Sequence, residues 1–276
     1  MTDQPEHKKI RLTKNDADEM SSSCGSSDDT KDEESDDDSI ISELNIDVEF
    51  CGRSMEETDN YAIQKFLDSL FLGCNTIDTK DLADLISMQA NIGCVVTSPG
   101  DNEDELDYDH NDIFAFISIL NMADAQNKNT VHTISDWCLN NCCNTQVFVK
   151  LKNILSSYKV CMLLCERFVD IPPKIALELY STLMNDLLTE KMKFDYYWMF
   201  LKTFSINGQD NHLEFAYPEG ELLFNKAELK YTIKLRDDAA SSSHGELLQC
   251  CSALLISAKD FEIAIEDIKT LYSNLE

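Results

Sequence analysis

Four of the eleven cysteines have a spacing that could bind zinc. Cys138 and Cys142 are four residues apart, as are Cys161 and Cys165, and four thiolates are a common structural zinc set. The second pair lies on a predicted strand, where four residues span about 13 Å, too far for two sulfurs to share one ion at about 2.3 Å each. We therefore interpret these cysteines as small apolar core residues and expect no metal.

A dense acidic stretch in the first half of the chain is the second group of residues that could bind an ion. Its seven acids, without Lys or Arg, are Asp101, Glu103, Asp104, Glu105, Asp107, Asp109 and Asp112. Asp107, Asp109 and Asn111 match the first three ligand positions of an EF-hand loop. The sixth position is Asp112 instead of Gly, and the twelfth is Ser118 instead of Glu, so we reject an EF-hand. Weak, nonspecific binding of divalent ions by this acidic stretch stays open. Like-charge repulsion predicts a solvated loop, and its acids are the predicted partner-binding residues.

Signatures of catalysis are absent from the sequence. The five histidines belong to no nucleophile or zincin pattern, and the chain has no G-x-S-x-G, Walker A or kinase motif. The eight glycines never occur as G-x-G, which removes the dinucleotide fingerprint and the glycine-rich phosphate cradle. No catalytic residue and no cofactor are expected, and the protein is predicted not to be an enzyme.

The charge balance points to basic partners. The chain has 23 Lys and Arg against 51 Asp and Glu, a formal net charge of −28. Such a field repels nucleic acid and attracts basic proteins, so direct nucleic-acid binding is disfavoured. The same charge could serve solubility alone, and charge by itself names no partner.

Residues 1–42 are predicted to be a disordered acidic tail, because they offer almost no apolar surface to offset the entropy of ordering. A basic cluster in the tail could act as a nuclear localisation signal and consists of Lys8, Lys9 and Arg11. Ser26 and Ser35 each have an acid three residues on, the pattern that acidophilic kinases favour, so both are predicted phosphorylation sites.

Cysteine usage and hydropathy predict the compartment. Eleven cysteines without an apolar secretory leader favour a reducing, intracellular environment. No apolar stretch approaches the roughly 20 residues needed to cross a bilayer, so no membrane insertion is expected.

Residues 43–276 are predicted to form one α/β domain with a single mixed sheet and packed helices. Short apolar or alternating runs predict strands at 44–50, 91–96, 113–120, 160–165, 196–204, 221–223, 227–235 and 249–256. Helical spacing of apolar residues predicts helices at 56–72, 78–90, 131–156, 172–188 and 259–271. Asp78 is the expected N-cap of the second helix, and Pro172 and Pro173 are expected in the first turn of the fourth.

Several of these stretches resemble the BCCIP family, eukaryotic proteins named for interaction with a breast-cancer recombination factor and a cyclin-dependent-kinase inhibitor. The resembling stretches are 44–50, 63–93, 113–121, 163–177 and, more weakly, 221–235, and the most specific elements are Glu166-Arg167-Phe168 and Pro172-Pro173-Lys174-Ile175-Ala176-Leu177. The acidic leader and the acidic loop before Ile113 also resemble features of that family. The C-terminal third departs from the family pattern.

The resemblance implies a fold similar to the GNAT acetyltransferases, which use acetyl-CoA, but without their activity. Those enzymes hold the cofactor pyrophosphate with a glycine-containing turn after a strand, and no such CoA-binding motif follows any predicted strand here. The resemblance further implies a basic ribosomal protein as partner, and also a recombination factor and a cyclin-dependent-kinase inhibitor. The expected location is the nucleus, with cytoplasmic and centrosome or spindle-pole pools.

The charge, the resemblance and the expected fold suggest three functions. The first is a chaperone that shields a basic ribosomal protein in ribosome biogenesis, and it fits the charge best. The second is an adaptor in the cell cycle, DNA repair by recombination and the spindle cytoskeleton, which rests on the resemblance. The third is an acetyltransferase with an unorthodox cofactor grip.

Overall fold

The computed structural model describes residues 49–89, 91–98, 113–124, 128–206, 209–235 and 247–273. The strands are β1 (Cys51–Arg53), β2 (Cys94–Thr97), β3 (Ile113–Asn121), β4 (Val160–Arg167), β5 (Tyr196–Ile206), β6 (Gln209–Phe215), β7 (Leu229–Lys234) and β8 (Leu247–Ser257). The helices are α1 (Asn60–Leu70), α2 (Thr79–Ser87), α3 (Lys128–Asn140), α4 (Thr145–Ser157), α5 (Lys174–Thr189), α6 (Pro218–Lys226) and α7 (Ala258–Ser273). None of the helices in this part of the chain combines the length and apolarity needed to cross a membrane.

All eight strands of the described residues belong to one mixed sheet, as predicted. Its order is β1-β2-β3-β4-β5-β8-β7, and β6 pairs with β5 outside this path. The β4–β5 pair is parallel and the other pairs are antiparallel. A parallel pair needs a long crossover, and α5 supplies it.

Helices cover both faces of the sheet, which explains the nearly continuous apolar runs of its central strands. Successive side chains of β4 point to opposite faces: Met162 and Leu164 belong to one core, Cys161 and Leu163 to the other. The first core lies under α1 to α4 and the second under α5 to α7. The predicted fold, a single mixed sheet with packed helices, is confirmed, and the structure adds that helices lie on both of its faces.

In the last third, one predicted strand was wrong and one strand was not predicted. The predicted strand at 221–223 is part of helix α6, which begins with Pro218 at its first position, where a proline loses no intrahelical hydrogen bond. No strand was predicted at β6, because Gln209–Phe215 has little apolar character. This strand forms through its antiparallel pairing with β5, in which Thr203 lies opposite Phe215.

Two boundaries also differ from the prediction. The single helix expected at 131–156 is two helices, α3 and α4, and Asn144 starts the second by accepting hydrogen bonds from the N–H groups of Gln146 and Val147. The first strand was expected at 44–50. The first described strand is Cys51–Arg53, and residues 44–48 lie outside the described part of the chain.

Candidate functional site

The sheet opens where β4 and β5 separate. The two strands pair from Val160, opposite Tyr196, to Leu163, opposite Met199. Beyond this point β4 continues along β3, while β5 continues along β8 as far as Ile206. A gap between two central strands leaves backbone groups of both without a ladder partner, so the residues that fill it decide what this end of the sheet can do.

The gap is filled by the protein's own chain. Strand β6 pairs with β5 on the side that β4 has left, and Tyr217 and helix α6 follow directly. The backbone N–H of Arg167 donates a hydrogen bond of 3.3 Å to the Tyr217 hydroxyl, which also contacts the Arg167 carbonyl. The Tyr217 hydroxyl thus contacts the N–H and carbonyl groups of β4 that a neighbouring strand would otherwise bind.

Glu166 faces the first core and lies inside this filled gap. Only 1% of it is exposed, its Oε2 lies 3.1 Å from the Tyr217 hydroxyl, and the ammonium of Lys202 on β5 is 3.4 Å away. Burial raises the pKa of Glu166 to about 7, although Lys202, Tyr217 and Arg167 oppose the rise. Near neutral pH this carboxyl is therefore poised between its protonated and ionised forms.

Arg167 faces the second core, where it forms a buried ion pair. Its Nη2 lies 3.0 Å from Oε2 of Glu219 on α6, and the two side chains are 3% and 5% exposed. The Tyr272 hydroxyl of α7 donates to the same carboxylate oxygen, and the guanidinium stacks over the Tyr217 ring at 4.4 Å from its centroid. Strand β4 is thus joined to α6 and α7.

Not every polar atom of this cluster is satisfied. Within the described residues, Oε1 of Glu166 and the Nε and Nη1 atoms of Arg167 are buried without a hydrogen bond. Glu166 and Arg167, which belong to one of the most specific elements of the family resemblance, are thus both members of buried ion pairs. Their partners Lys202, Tyr217 and Glu219 lie 36 to 52 residues further along the chain, and no local pattern could have identified them.

The turn between β4 and α5 is a poor anion site. Pro172 and Pro173 occupy it and carry no N–H group. Two of the N–H groups that follow are engaged, because Ile175 donates to the Pro172 carbonyl and Ala176 to the Pro173 carbonyl, both at 3.0 Å. A helix N-terminus binds a phosphate through free N–H groups, and this one directs these two at its own chain.

An exposed aromatic group lies beside the same turn. Phe168 and Val169 follow β4 directly and are 53% and 70% exposed. The Phe168 ring lies 5.0 Å from Phe66 and 6.4 Å from Phe114, and Phe114 is 5.7 Å from Phe50. Four phenylalanine rings therefore run around the end of the sheet, from the first core to the second.

The chain matches a protein-family model and is similar to several known proteins. The family model described as BCCIP matches residues 43–246. The chain belongs to the BCCIP family. A Protein BCCIP homolog of Danio rerio is 31% identical over 72% of this chain and 73% of its own length. The BRCA2 and CDKN1A-interacting protein of Homo sapiens is 29% identical over 73% of this chain and 71% of its own.

The BCCIP-family fold is also found in a solved structure. The crystal structure of BCP1 from Saccharomyces cerevisiae matches 85% of this chain and 93% of its own, with a TM-score of 0.55 and 16% identity. At this identity the likeness concerns the fold alone.

The residues predicted to act in this BCCIP-family chain lie outside the described part. They comprise the acidic residues Asp101, Glu103, Asp104, Glu105, Asp107, Asp109 and Asp112, the basic cluster Lys8, Lys9 and Arg11, and Ser26 and Ser35. Their points of attachment are described. Residues 1–48 join the domain at Glu49, and residues 99–112 join it between Ser98 and Ile113.

Both attachment points lie at the end of the sheet that carries Phe168. Cys51 pairs with Thr97, Thr97 with Ile113, and Ala115 with Arg167, so these ends of the first four strands are neighbours. Residues 1–48 contain fifteen acids and five bases, and residues 99–112 contain seven acids and no Lys or Arg. The two stretches therefore account for 17 of the 28 net negative charges. In this BCCIP-family fold both stretches attach at the same end of the sheet, which we also call its acidic edge.

The four cysteines of the possible zinc set do not meet in this BCCIP-family fold. Cys138 on α3 belongs to the first core, whereas Cys161 and Cys165 on β4 pack in the second, on the other side of the sheet. Burial raises the pKa of the Cys138 and Cys161 thiols well above the ordinary value, which keeps them protonated and unsuited to metal. Among described residues, no three His, Cys, Asp or Glu side chains form a possible metal cluster.

Proposed function

We propose that this protein is a non-catalytic acidic chaperone and adaptor, which shields a basic ribosomal protein and delivers it during large-subunit biogenesis or nuclear transport. The observation that carries the proposal is the concentration of negative charge: 17 of 28 net charges attach to one edge of the sheet. A dense negative field competes with ribosomal RNA for a basic protein and speeds the encounter with it.

The non-catalytic part of the proposal is supported by the filled gap between β4 and β5. The Tyr217 side chain, Glu219 and the buried ion pair occupy the space where the central strands separate. The prolines before α5 reduce the number of backbone donors available to a phosphate. Calorimetry with acetyl-CoA tests this part, and binding in the micromolar range would overturn it.

The place of action is proposed to be the nucleus, with cytoplasmic and centrosome or spindle-pole pools. The cluster Lys8, Lys9 and Arg11 is the proposed localisation signal, and phosphate on Ser26 or Ser35 would add about −1.5 to −2 charges each to the same edge. Within this proposal residues 1–42 are an acidic tail and residues 43–276 one folded domain. Imaging of a tagged Lys8→Ala/Lys9→Ala/Arg11→Ala variant tests the signal, and unchanged nuclear accumulation would overturn it.

Affinity purification of the tagged chain at low and moderate salt, followed by mass spectrometry, tests the chaperone function. The wild type is compared with a variant in which the seven acids of residues 101–112 are changed to Asn or Gln. Recovery of one stoichiometric basic ribosomal protein, lost at higher salt and in the variant, is the expected result. Recovery of no basic protein under any condition would contradict the proposal.

A second candidate function is an adaptor in cell-cycle control, recombination and spindle-pole organisation. It is favoured by the name of the human relative, which states an interaction with BRCA2 and CDKN1A. Partners held mainly by apolar contacts would keep their affinity as salt rises and would be indifferent to the neutralised stretch. Recovery of recombination or cell-cycle proteins with this behaviour would make the adaptor the primary function. The negative charge would then serve solubility and not partner binding.

A further inference from the structure

The end of the sheet carries a preformed apolar patch, which we call the Phe168 patch and define as Phe114, Phe168 and Val169. Phe168 and Val169 are 53% and 70% exposed, and Phe114 is half-buried beneath them. The Phe168 N–H donates a 2.9 Å hydrogen bond to the Phe114 carbonyl. Its ring also packs at 5.0 Å from that of buried Phe66. The patch is therefore held in place before any partner arrives, which lowers the entropic cost of binding.

The two arginines of the first and fourth strands at this end of the domain are neutralised within the protein. Both terminal nitrogens of Arg53 lie 2.7 Å from the carboxylate oxygens of Asp59. Arg167, which directly precedes the patch, is paired with Glu219. Asp170 follows the patch in the chain and is exposed. Two arginines near the patch are thus paired within the protein, and the two acidic stretches attach at the same end of the sheet.

We propose that the Phe168 patch is the docking surface for a basic protein segment that carries a bulky apolar side chain. The proposal rests on the proposed function, because it specifies where and how a basic partner is held. The apolar side chain packs on Phe168 and Val169, while flanking Lys or Arg residues are attracted by the net negative charge of the protein.

Charge decides between this occupant and a second copy of the chain. To bury the patch, two copies of net charge −28 would have to meet at the end of the sheet to which both acidic stretches attach, and like charges oppose this. A basic segment gains attraction at the same place.

The test uses two fluorescein-labelled peptides of equal charge and the full-length protein, with fluorescence anisotropy as the measurement. One peptide contains lysines and two leucines, and the other replaces both leucines by serine. The protein variants are Phe168→Ser/Val169→Ser and the milder Val169→Ser. The matched control is Leu188→Ser, because Leu188 is 73% exposed and lies near the far end of α5. Circular dichroism and thermal unfolding confirm that each variant is folded.

The leucine peptide is expected to bind the wild type and Leu188→Ser equally, and to bind Phe168→Ser/Val169→Ser about tenfold more weakly. Val169→Ser should fall in between, and the serine peptide should bind all variants alike and be released by salt. Equal binding of the leucine peptide to all variants would overturn the docking surface, and charge-driven binding of the serine peptide would leave the chaperone function standing. Failure of both peptides to bind would contradict the attraction on which the docking surface and the proposed function both depend.

Discussion

The Tyr217 hydroxyl lies between the backbone N–H and the carbonyl of Arg167, and so takes the position of a strand that is missing beside β4. The same hydroxyl is 3.1 Å from the Glu166 carboxylate. A hydroxyl has one proton, so it can donate to only one of these two acceptors at a time. Closure of the sheet and the protonation of Glu166 are therefore linked through one side chain.

Replacing Tyr217 by Phe should destabilise the fold. The change leaves the Arg167 N–H and the Glu166 carboxylate without this partner in a buried site, which costs about 1 to 3 kcal/mol of the free energy of unfolding. Urea unfolding at neutral pH measures the loss. The control is Tyr61→Phe, since Tyr61 is 66% exposed. Equal stability of the two variants would mean that the Tyr217 hydroxyl does not support β4.

Glu166 should make stability fall as the pH rises. Its pKa is raised from 4.5 to about 7 in the folded protein, chiefly by burial. Between these values the folded chain keeps a proton that the unfolded chain releases, so the free energy of unfolding declines with increasing pH. The contribution is on the order of 3 kcal/mol across the whole interval.

The Glu166→Gln variant isolates this effect, because glutamine does not titrate. Its stability relative to the wild type should increase from about pH 5 to about pH 7.5, as urea unfolding at each pH would show. Comparison with the wild type removes the contributions of the other acids. A difference that stays constant over this range would show that Glu166 titrates like an exposed carboxyl.

The buried Arg167–Glu219 pair should be costly to break on one side. Arg167→Met leaves the Glu219 carboxylate buried with the Tyr272 hydroxyl alone, and such losses amount to about 3 to 5 kcal/mol. Changing Glu219→Gln in the same chain should recover part of the loss, because no charge then remains uncompensated. Chemical unfolding of the two single variants and the double variant measures the coupling.

A surface ion pair provides the matched control for this prediction. Lys226 and Asp267 are 2.9 Å apart but 37% and 42% exposed, so Lys226→Met should cost less than about 1 kcal/mol. Similar losses of stability in Arg167→Met and Lys226→Met would contradict the conclusion that burial makes the first ion pair costly to break.

Gly93 should be intolerant of any side chain. Its φ of +87° is a conformation that other residues rarely adopt, and an added Cβ would lie 2.1 Å from the Ile117 carbonyl oxygen. Gly93→Ala is expected to cost about 3 kcal/mol or more, and thermal unfolding would measure it. Gly220→Ala is the control, because the nearest atom there is a Phe215 side-chain carbon at 3.1 Å, which can move. If Gly93→Ala lost as little stability as Gly220→Ala, the backbone around residue 93 would have shifted to accommodate the added Cβ.

Elements with a strong local signal were predicted well. The apolar run from Ile113 and the run from Val160 are the central strands β3 and β4, because a strand covered on both faces needs apolar side chains at every position. Asp78 caps α2 as expected and accepts hydrogen bonds from the N–H groups of Lys80 and Asp81. At these positions the local preferences of the residues agree with the tertiary structure.

Elements without such a signal were missed for physical reasons. The Leu222-Leu223-Phe224 run suits either a strand or a helix, and its packing beside α7 and the proline at the helix start decide for α6. Strand β6 is polar and exists because β5 offers a free edge where β4 has left it. A pairing partner cannot be read from a segment's own residues.

By itself, the sequence determined the chemical character of this protein: its large negative charge, its lack of catalytic motifs, its buried strands and its membership of a family. Only the tertiary structure decided which residues surround Glu166 and Arg167, and that the two acidic stretches attach beside Phe168. The reason is that charge and hydropathy belong to single residues and survive in a linear chain. Burial, pKa and neighbourhood arise only when segments far apart in sequence fill the same gap.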